Sequence, residues 1–133
     1  MEKKKIVYVD VGTNEGSFLE YLLKFCVFKK VFCYEPISRL SDELKQKYSK
    51  KNIKIFNVAL SNKKSFRKFF EYKISSQSSL YKQNDIFKSL KDLKKISKVK
   101  TKIFDNEFNL DEKIDFCKID VQGEEINVLK GMK

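Results

Sequence analysis

Three clusters of residues have the types and spacing to do chemistry. The first is Asp10-Val-Gly12-Thr-Asn14-Glu-Gly16, which follows the apolar run KIVYVDV at 5–11. Gly12 permits a sharp turn of the backbone, and Gly16 lets a helix start close to a strand. Asn14 tolerates a left-handed conformation that most residues avoid. Such a turn aims backbone N–H groups from a helix N-terminus, where a carboxylate or phosphate can be held. The spacing is Asp-x-Gly-x-Asn-x-Gly. That is neither the G-x-G-x-x-G of dinucleotide sites nor the GK[ST] of a phosphate-binding loop. An acid at the strand end is unfavourable beside a pyrophosphate. It is favourable beside an ammonium and a sulfonium, the two charges of S-adenosylmethionine. An ordinary strand-to-helix turn would need the same glycines for geometry alone.

The second cluster is Glu35, which lies 19 residues after Gly16 and directly before Pro36. A carboxylate about 20 residues beyond the glycines, at the tip of the second strand, accepts the ribose hydroxyls of an adenosine group. A helix-capping or surface glutamate is the plainer alternative, and the register with the first turn favours binding. Ala59 and Leu60, at the end of the next apolar run, are placed by strand order to line the adenine. The third cluster is Lys118-Ile-Asp120-Val-Gln-Gly123-Glu-Glu125. Lys118 and Asp120 are two residues apart on a strand and so share a face. Open α/β sheets hold their ligands at such carboxyl ends. Glu125 suits a helix start, and a capping arrangement alone explains Glu124 or Glu125.

The elements that must position these groups follow from periodicity. Residues 5–11, 30–35 and 53–60 are short apolar runs of buried-strand type. Between them, 17–28 and 38–49 carry apolar residues at helical spacing, with Leu40, Leu44 and Tyr48 forming one stripe. The first sixty residues therefore read βαβαβ, which implies a parallel sheet with helices on its faces. Residues 63–72 read as an added strand, 75–79 as a polar loop, and 85–97 as a helix or a mobile lid. Residues 99–104 read as an edge strand or hairpin arm, 105–113 as an acidic turn region, 114–120 as a buried strand, and 124–130 as a helix. No repeat or linker divides the chain, so one domain spans 1–133, with the sheet expected to continue beyond the last helix.

Composition narrows the chemistry. The 133 residues contain no histidine. That removes the commonest general base, the Ser-His nucleophile arrangements and most zinc sites, and no metal site is expected. Cys26, Cys33 and Cys117 lack metal spacing and suit buried free thiols. No apolar run is long enough to span a bilayer, and the first one stops at Asp10, too soon for a signal peptide. A cytoplasmic location is the expectation. The formal net charge of +11 admits an anionic partner such as nucleic acid or a lipid surface. A diffuse solvated lysine coat is favoured, because only Arg39 and Arg67 supply guanidinium groups.

The sequence resembles the FkbM family of S-adenosylmethionine-dependent methyltransferases. The family pattern V-D-V-G-A-N-x-G, then E-P, then K-I-D-V-E-G-x-E with V-L-x-G is met by VDVGTNEG at 9–16, YEP at 34–36 and KIDVQGEEINVLKG at 118–131. Thr13 replaces alanine and Gln122 replaces the usual glutamate. The resemblance implies a Rossmann-like class I methyltransferase sheet, doubly wound and mostly parallel. It also implies further strands after V-L-x-G, so the chain is expected to lack the last strands. It implies methyl transfer from S-adenosylmethionine to a hydroxyl oxygen of a sugar, glycan or small-molecule scaffold. Without histidine, Asp120 is the first choice of base and Glu125 the next, with Lys118 orienting Asp120 or stabilising the developing oxyanion. The cofactor set is Asp10, Gly12, Asn14, Gly16, Glu35, Ala59 and Leu60. A nucleic-acid methyltransferase and a non-catalytic remnant of the fold are the competing readings.

Overall fold

The structure is a computed structural model that describes residues 4–49, 52–82, 92–108 and 112–133. Its elements run β1 (Lys5–Val11), α1 (Ser17–Leu23), β2 (Val27–Tyr34), α2 (Ser38–Lys47), β3 (Ile53–Phe56), β4 (Ala59–Leu60) and β5 (Ser65–Tyr72). A single 3-10 turn (Ser75–Gln77) precedes β6 (Leu93–Lys102), α3 (Phe104–Glu107), β7 (Phe116–Ile119) and α4 (Glu125–Lys130).

Strand β1 is buried from Val7 to Val11, as a β-branched run at the centre of a parallel sheet should be. Its alternation feeds two cores. Tyr8 packs with Leu19 of α1, Leu44 of α2, Val31 and Cys33. Val9 and Val11 face the opposite layer, with Phe104 of α3, Phe108 and Val128 of α4. Helices therefore cover both faces of the sheet, which is the doubly wound arrangement. The parallel sheet has the order β3-β2-β1-β7. The chain runs outward from β1 through β2 and β3, then returns to the other side of β1. The strand order reverses there, and the carboxyl ends of β1 and β7 open a crevice.

A second sheet, ordered β4-β6-β5, stands beside the first. Strand β5 runs antiparallel to β6, and the two residues of β4 pair in parallel with Thr101 and Lys102. A third core of Ile37, Leu40, Ala59, Phe69, Leu80 and Val99 joins this sheet to the start of α2.

Several sequence expectations are corrected here. The run 53–60 is two strands in different sheets, broken at Asn57-Val58. The amide of Asn57 donates to the Glu35 and Pro36 carbonyls at 2.9 and 3.0 Å, so local side-chain bonding replaces the ladder. Residues 93–97, read as part of a helix or lid, belong to β6, because Phe70 and Phe69 pair with Ile96 and Ser97 across the sheet. Residues 85–91 of that segment lie outside the described residues. Strand β6 ends at Lys102, two residues before the expected end, and a short helix opens at Phe104 and runs into the expected turn region. Helix α1 stops at Leu23, leaving Val27 to begin β2. Strand β7 is half-buried rather than buried, because among the described residues it pairs with β1 alone. Cys33 is buried, while Cys26 and Cys117 are half-buried.

Candidate active site

The crevice above β1 and β7 is a cleft of about 200 Å³. Its floor is the turn after β1. Gly12 has a φ of 80° and Asn14 one of 54°. The N–H groups of Gly12 and Thr13 both donate to the Tyr34 carbonyl, at 3.0 and 3.2 Å, and this ties the turn to the end of β2. Gly16, with a φ of 81°, precedes α1 without lining the cleft. A Cβ there would sit 2.7 Å from Leu44 Cδ2, so glycine lets α1 and α2 approach each other.

Glu35 follows β2 and lines the cleft while only 3% exposed. Its two oxygens accept the backbone N–H groups of Asn14, at 2.7 Å, and Ile37, at 2.8 Å. Burial pushes its carboxyl up to about 7, against the opposing pull of those two amides. Ala59 and Leu60 form an apolar wall together with Ile37, Phe69 and Leu80.

Asp10 lies beneath the cleft, fully buried and outside its lining. Register pairing places Lys118 beside it on β7, and the Lys118 ammonium lies 3.3 Å from both Asp10 Oδ1 and the Gly12 carbonyl. Burial raises the Asp10 carboxyl, with the Lys118 charge opposing. Lys118 also lies 3.9 Å from Asp120 Oδ2. Asp120 projects into the cleft with a half-exposed side chain, and its Oδ1 accepts from Gln122 Nε2 at 3.0 Å. Lys118 therefore links the floor of the site to an accessible carboxylate at its rim; Glu15, the other exposed acid of the lining, faces Ser75 instead. Glu125 is directed elsewhere. Its oxygens accept the N–H groups of Val121 at 3.0 Å and Gly123 at 2.8 Å, which fixes the turn that carries Asp120.

The neighbouring Glu124 is a cleft residue that sequence reasoning passed over. Its side chain is 1% exposed, and its Oε1 accepts from Ser61 Oγ at 2.5 Å and Arg67 Nη1 at 2.6 Å. Burial alone would raise this carboxyl, but hydrogen bonds from Ser61, Tyr81 and Arg67 hold it below the ordinary value. Two adjacent glutamates at a helix start look alike in sequence, and only the strand bearing Arg67 distinguishes them. Arg67→Ala leaves a buried carboxylate short of its cation and is expected to cost about 2 kcal/mol, read as a lowered urea midpoint. Ser75, Ser76 and Ser78, from the expected polar loop, also line the cleft, and Ser75 Oγ lies 3.4 Å from Glu15 Oε1.

Among the described residues the cleft lining carries Glu15, Glu35, Asp120 and Glu124 against Lys118, with Glu124 paired to Arg67 from outside the lining. Asn14 Oδ1 is buried there without a hydrogen-bond partner among the described residues. This is an environment for a cationic ligand rich in donors. Burial raises the thiols of Cys33 to about 12 and Cys117 to about 11, so neither supplies a thiolate at neutral pH. Among the described residues, no helix is long and apolar enough to cross a membrane.

Comparison with known proteins gives a consistent family. The crystal structure of methyltransferase FkbM from Methylobacillus flagellatus KT superimposes with a TM-score of 0.60 at 15% identity, covering 98% of this chain and 30% of that one. The present chain thus spans about a third of that protein's length, and at this identity the likeness concerns the fold. A comparison with curated proteins finds no match. The methyltransferase FkbM domain matches residues 10–133, nearly the whole sequence. The chain belongs to the methyltransferase FkbM domain family.

Proposed function

We propose that the chain binds S-adenosylmethionine in the cleft and transfers its methyl group to a hydroxyl oxygen of a sugar, glycan or small-molecule scaffold. The observation that carries this reading is Glu35, a buried carboxylate held by two backbone amides at the carboxyl end of β2 and open to an acidic cleft. The excess of carboxylates suits a ligand with a sulfonium and an ammonium. The unpartnered Asn14 Oδ1 offers an acceptor to such a donor. When bound, S-adenosylmethionine supplies an electrophilic methyl carbon whose bond to sulfur breaks as the acceptor oxygen attacks.

The chain's own residues do the rest. Glu35 accepts the ribose hydroxyls, and the apolar wall of Ile37, Ala59, Leu60, Phe69 and Leu80 takes the adenine. Asp120 receives the proton of the acceptor hydroxyl, since it is the exposed carboxylate of the lining that stands beside Lys118. Lys118 holds Asp120 in place and stabilises negative charge developing on the oxygen. Glu125 positions the turn beneath Asp120. Holding donor and acceptor in line is worth at most roughly 7–11 kcal/mol, so preorganisation by these turns matters as much as the base. A cytoplasmic site of action agrees with the free thiols.

Calorimetric titration of the purified chain with S-adenosylmethionine tests the reading. Saturable binding at one site is expected, and its absence would end the proposal for this chain. A pH series adds a finer check. The folded Glu35 carboxyl lies near 7, above its ordinary value. It is therefore ionised above that pH and protonated below it. The anion is the better acceptor for two hydroxyls, so affinity falls as pH falls. Adenosine, which carries no group titrating in this window, is expected to bind about tenfold more weakly at pH 6 than at pH 8. Glu35→Gln should flatten the profile, and a profile unchanged by the substitution would detach it from Glu35. For the free protein the sign is opposite. A raised folded pKa means that this group favours the fold below its unfolded pKa and loses that contribution as pH rises through 7.

A further inference from the structure

A second groove, of about 480 Å³, shares Pro36 and Ile37 with the first cleft. It lies between the start of α2 and the stretch of β6 that β4 leaves unpaired. Its character is the reverse of the cofactor cleft. Arg39, Lys94, Lys95, Lys98 and Lys100 line it, with Glu71 as the only acid among the described lining residues. Arg39 is paired with Glu43, and Lys94 lies 3.8 Å from Glu71. Lys95, Lys98 and Lys100 are exposed and form no ion pair among the described residues. The cluster is thus a concentration of uncompensated charge within an otherwise diffuse lysine coat.

An aromatic ring stands in the same groove. Phe66 of β5 is 63% exposed, lies opposite Lys100 in the sheet register, and has the Lys98 ammonium 5.4 Å from its ring centroid. A large exposed ring ringed by cations has little to gain from folding and much from a ligand with an apolar face and negative charge. The rim adds Ser38, Asn57 and Ser97.

We propose that this groove binds the acidic residues of an anionic oligosaccharide, an acceptor long enough for a hydroxyl further along it to enter the cleft at Asp120. The proposal rests on the hydroxyl-transfer reading and names its substrate class. A pyranose ring lays its C–H face on Phe66, its carboxylate or phosphate meets Lys98 and Lys100 on the same face of the sheet, the next acidic residue meets Lys95 across the free edge of β6, and hydroxyls reach the Ser and Asn side chains. Single-stranded nucleic acid fits less well. Its successive bases ask for several stacking rings, and Phe66 is the one aromatic among the described lining residues. Opposite charge in the two adjoining clefts also sorts the reactants, sending the cation to one and the anion to the other.

The test is fluorescence anisotropy with a labelled hexagalacturonate, a labelled neutral maltohexaose and a labelled hexauridylate. The protein is the wild-type chain and the variant Lys95→Ala/Lys98→Ala/Lys100→Ala. Because all three lysines are exposed, the variant keeps the melting temperature of the wild type. Hexagalacturonate should bind wild type with an affinity that falls as salt rises, and the variant should lose about tenfold. Phe66→Ala should weaken binding even at high salt. Equal binding of maltohexaose, tighter binding of hexauridylate, or an affinity untouched by the triple substitution overturns the proposal. S-adenosylmethionine titrations on the same samples separate the two readings. Oligosaccharide binding lost in the variant without any cofactor binding would keep the groove and remove the methyl-transfer reading. Cofactor binding without oligosaccharide binding would do the reverse.

Discussion

Glu35→Ala is expected to weaken S-adenosylmethionine binding by about a hundredfold or more. The carboxylate is positioned to take two ribose hydroxyls, and hydrogen bonds to a charged group contribute about 1.5–3 kcal/mol each, while about 1.4 kcal/mol is a factor of ten in affinity. The side chain has a second duty that must be separated from the first. It accepts the Asn14 and Ile37 amides, so alanine also releases the turn after β1 and the start of α2. Glu35→Gln divides the two effects, because it keeps the volume and one good acceptor while removing the charge. About a tenfold loss of affinity is expected for glutamine, with the melting temperature closer to wild type than that of alanine. Calorimetry and thermal melting on the three proteins read both quantities. Wild-type affinity in Glu35→Ala would remove Glu35 from the binding site, whatever the cost to stability.

Gly12→Ala is expected to be the most damaging single-atom change in the chain. A Cβ at this position would lie 2.1 Å from the Asp120 carbonyl oxygen and 3.2 Å from Val121 Cγ1. The oxygen belongs to backbone, so the contact cannot be relieved by turning a side chain. Alanine must in addition adopt a φ of 80°, which costs a non-glycine residue roughly 1–2 kcal/mol. With overpacking at about 1–3 kcal/mol, a loss of about 3 kcal/mol or more in unfolding free energy is expected from urea titration. The damage should reach binding too. Lys118 donates to the Gly12 carbonyl, and Glu125 holds the Val121 amide next to Asp120, so forcing the two strand ends apart separates Asp120 from its partners. A variant with an unchanged urea midpoint would show that the two strand ends are not packed as described.

Much of this architecture was legible because it is written in short-range patterns. The βαβαβ order of the first sixty residues follows from apolar period, and the turn at Asp10–Gly16 from residues tied to special backbone angles. The placing of Glu35 and of Lys118 with Asp120 at strand ends follows from the same periods, and these groups do converge on one cleft. Where sequence reasoning failed, the deciding contact was distant. Residues 93–97 have no strict strand period, and their pairing partner lies more than twenty residues earlier, on β5. Asn57 breaks an apolar run only because its amide finds the Glu35 and Pro36 carbonyls. Asp10 and Glu125, both read from sequence as site groups, are turned by folding towards Lys118 and towards the amides of Val121 and Gly123.

The family, the parallel sheet and the residue types at each strand end are readable from the chain unaided, since they depend on local spacing and backbone preference. Long-range packing settles which of two adjacent glutamates enters the cleft, where the second sheet stands, and how the charge is sorted. Such choices rest on Arg67 reaching Glu124 across fifty-seven residues, and on β6 gathering its lysines beside Phe66. Side chains far apart in the chain meet only after the backbone has folded, and no local pattern records that meeting.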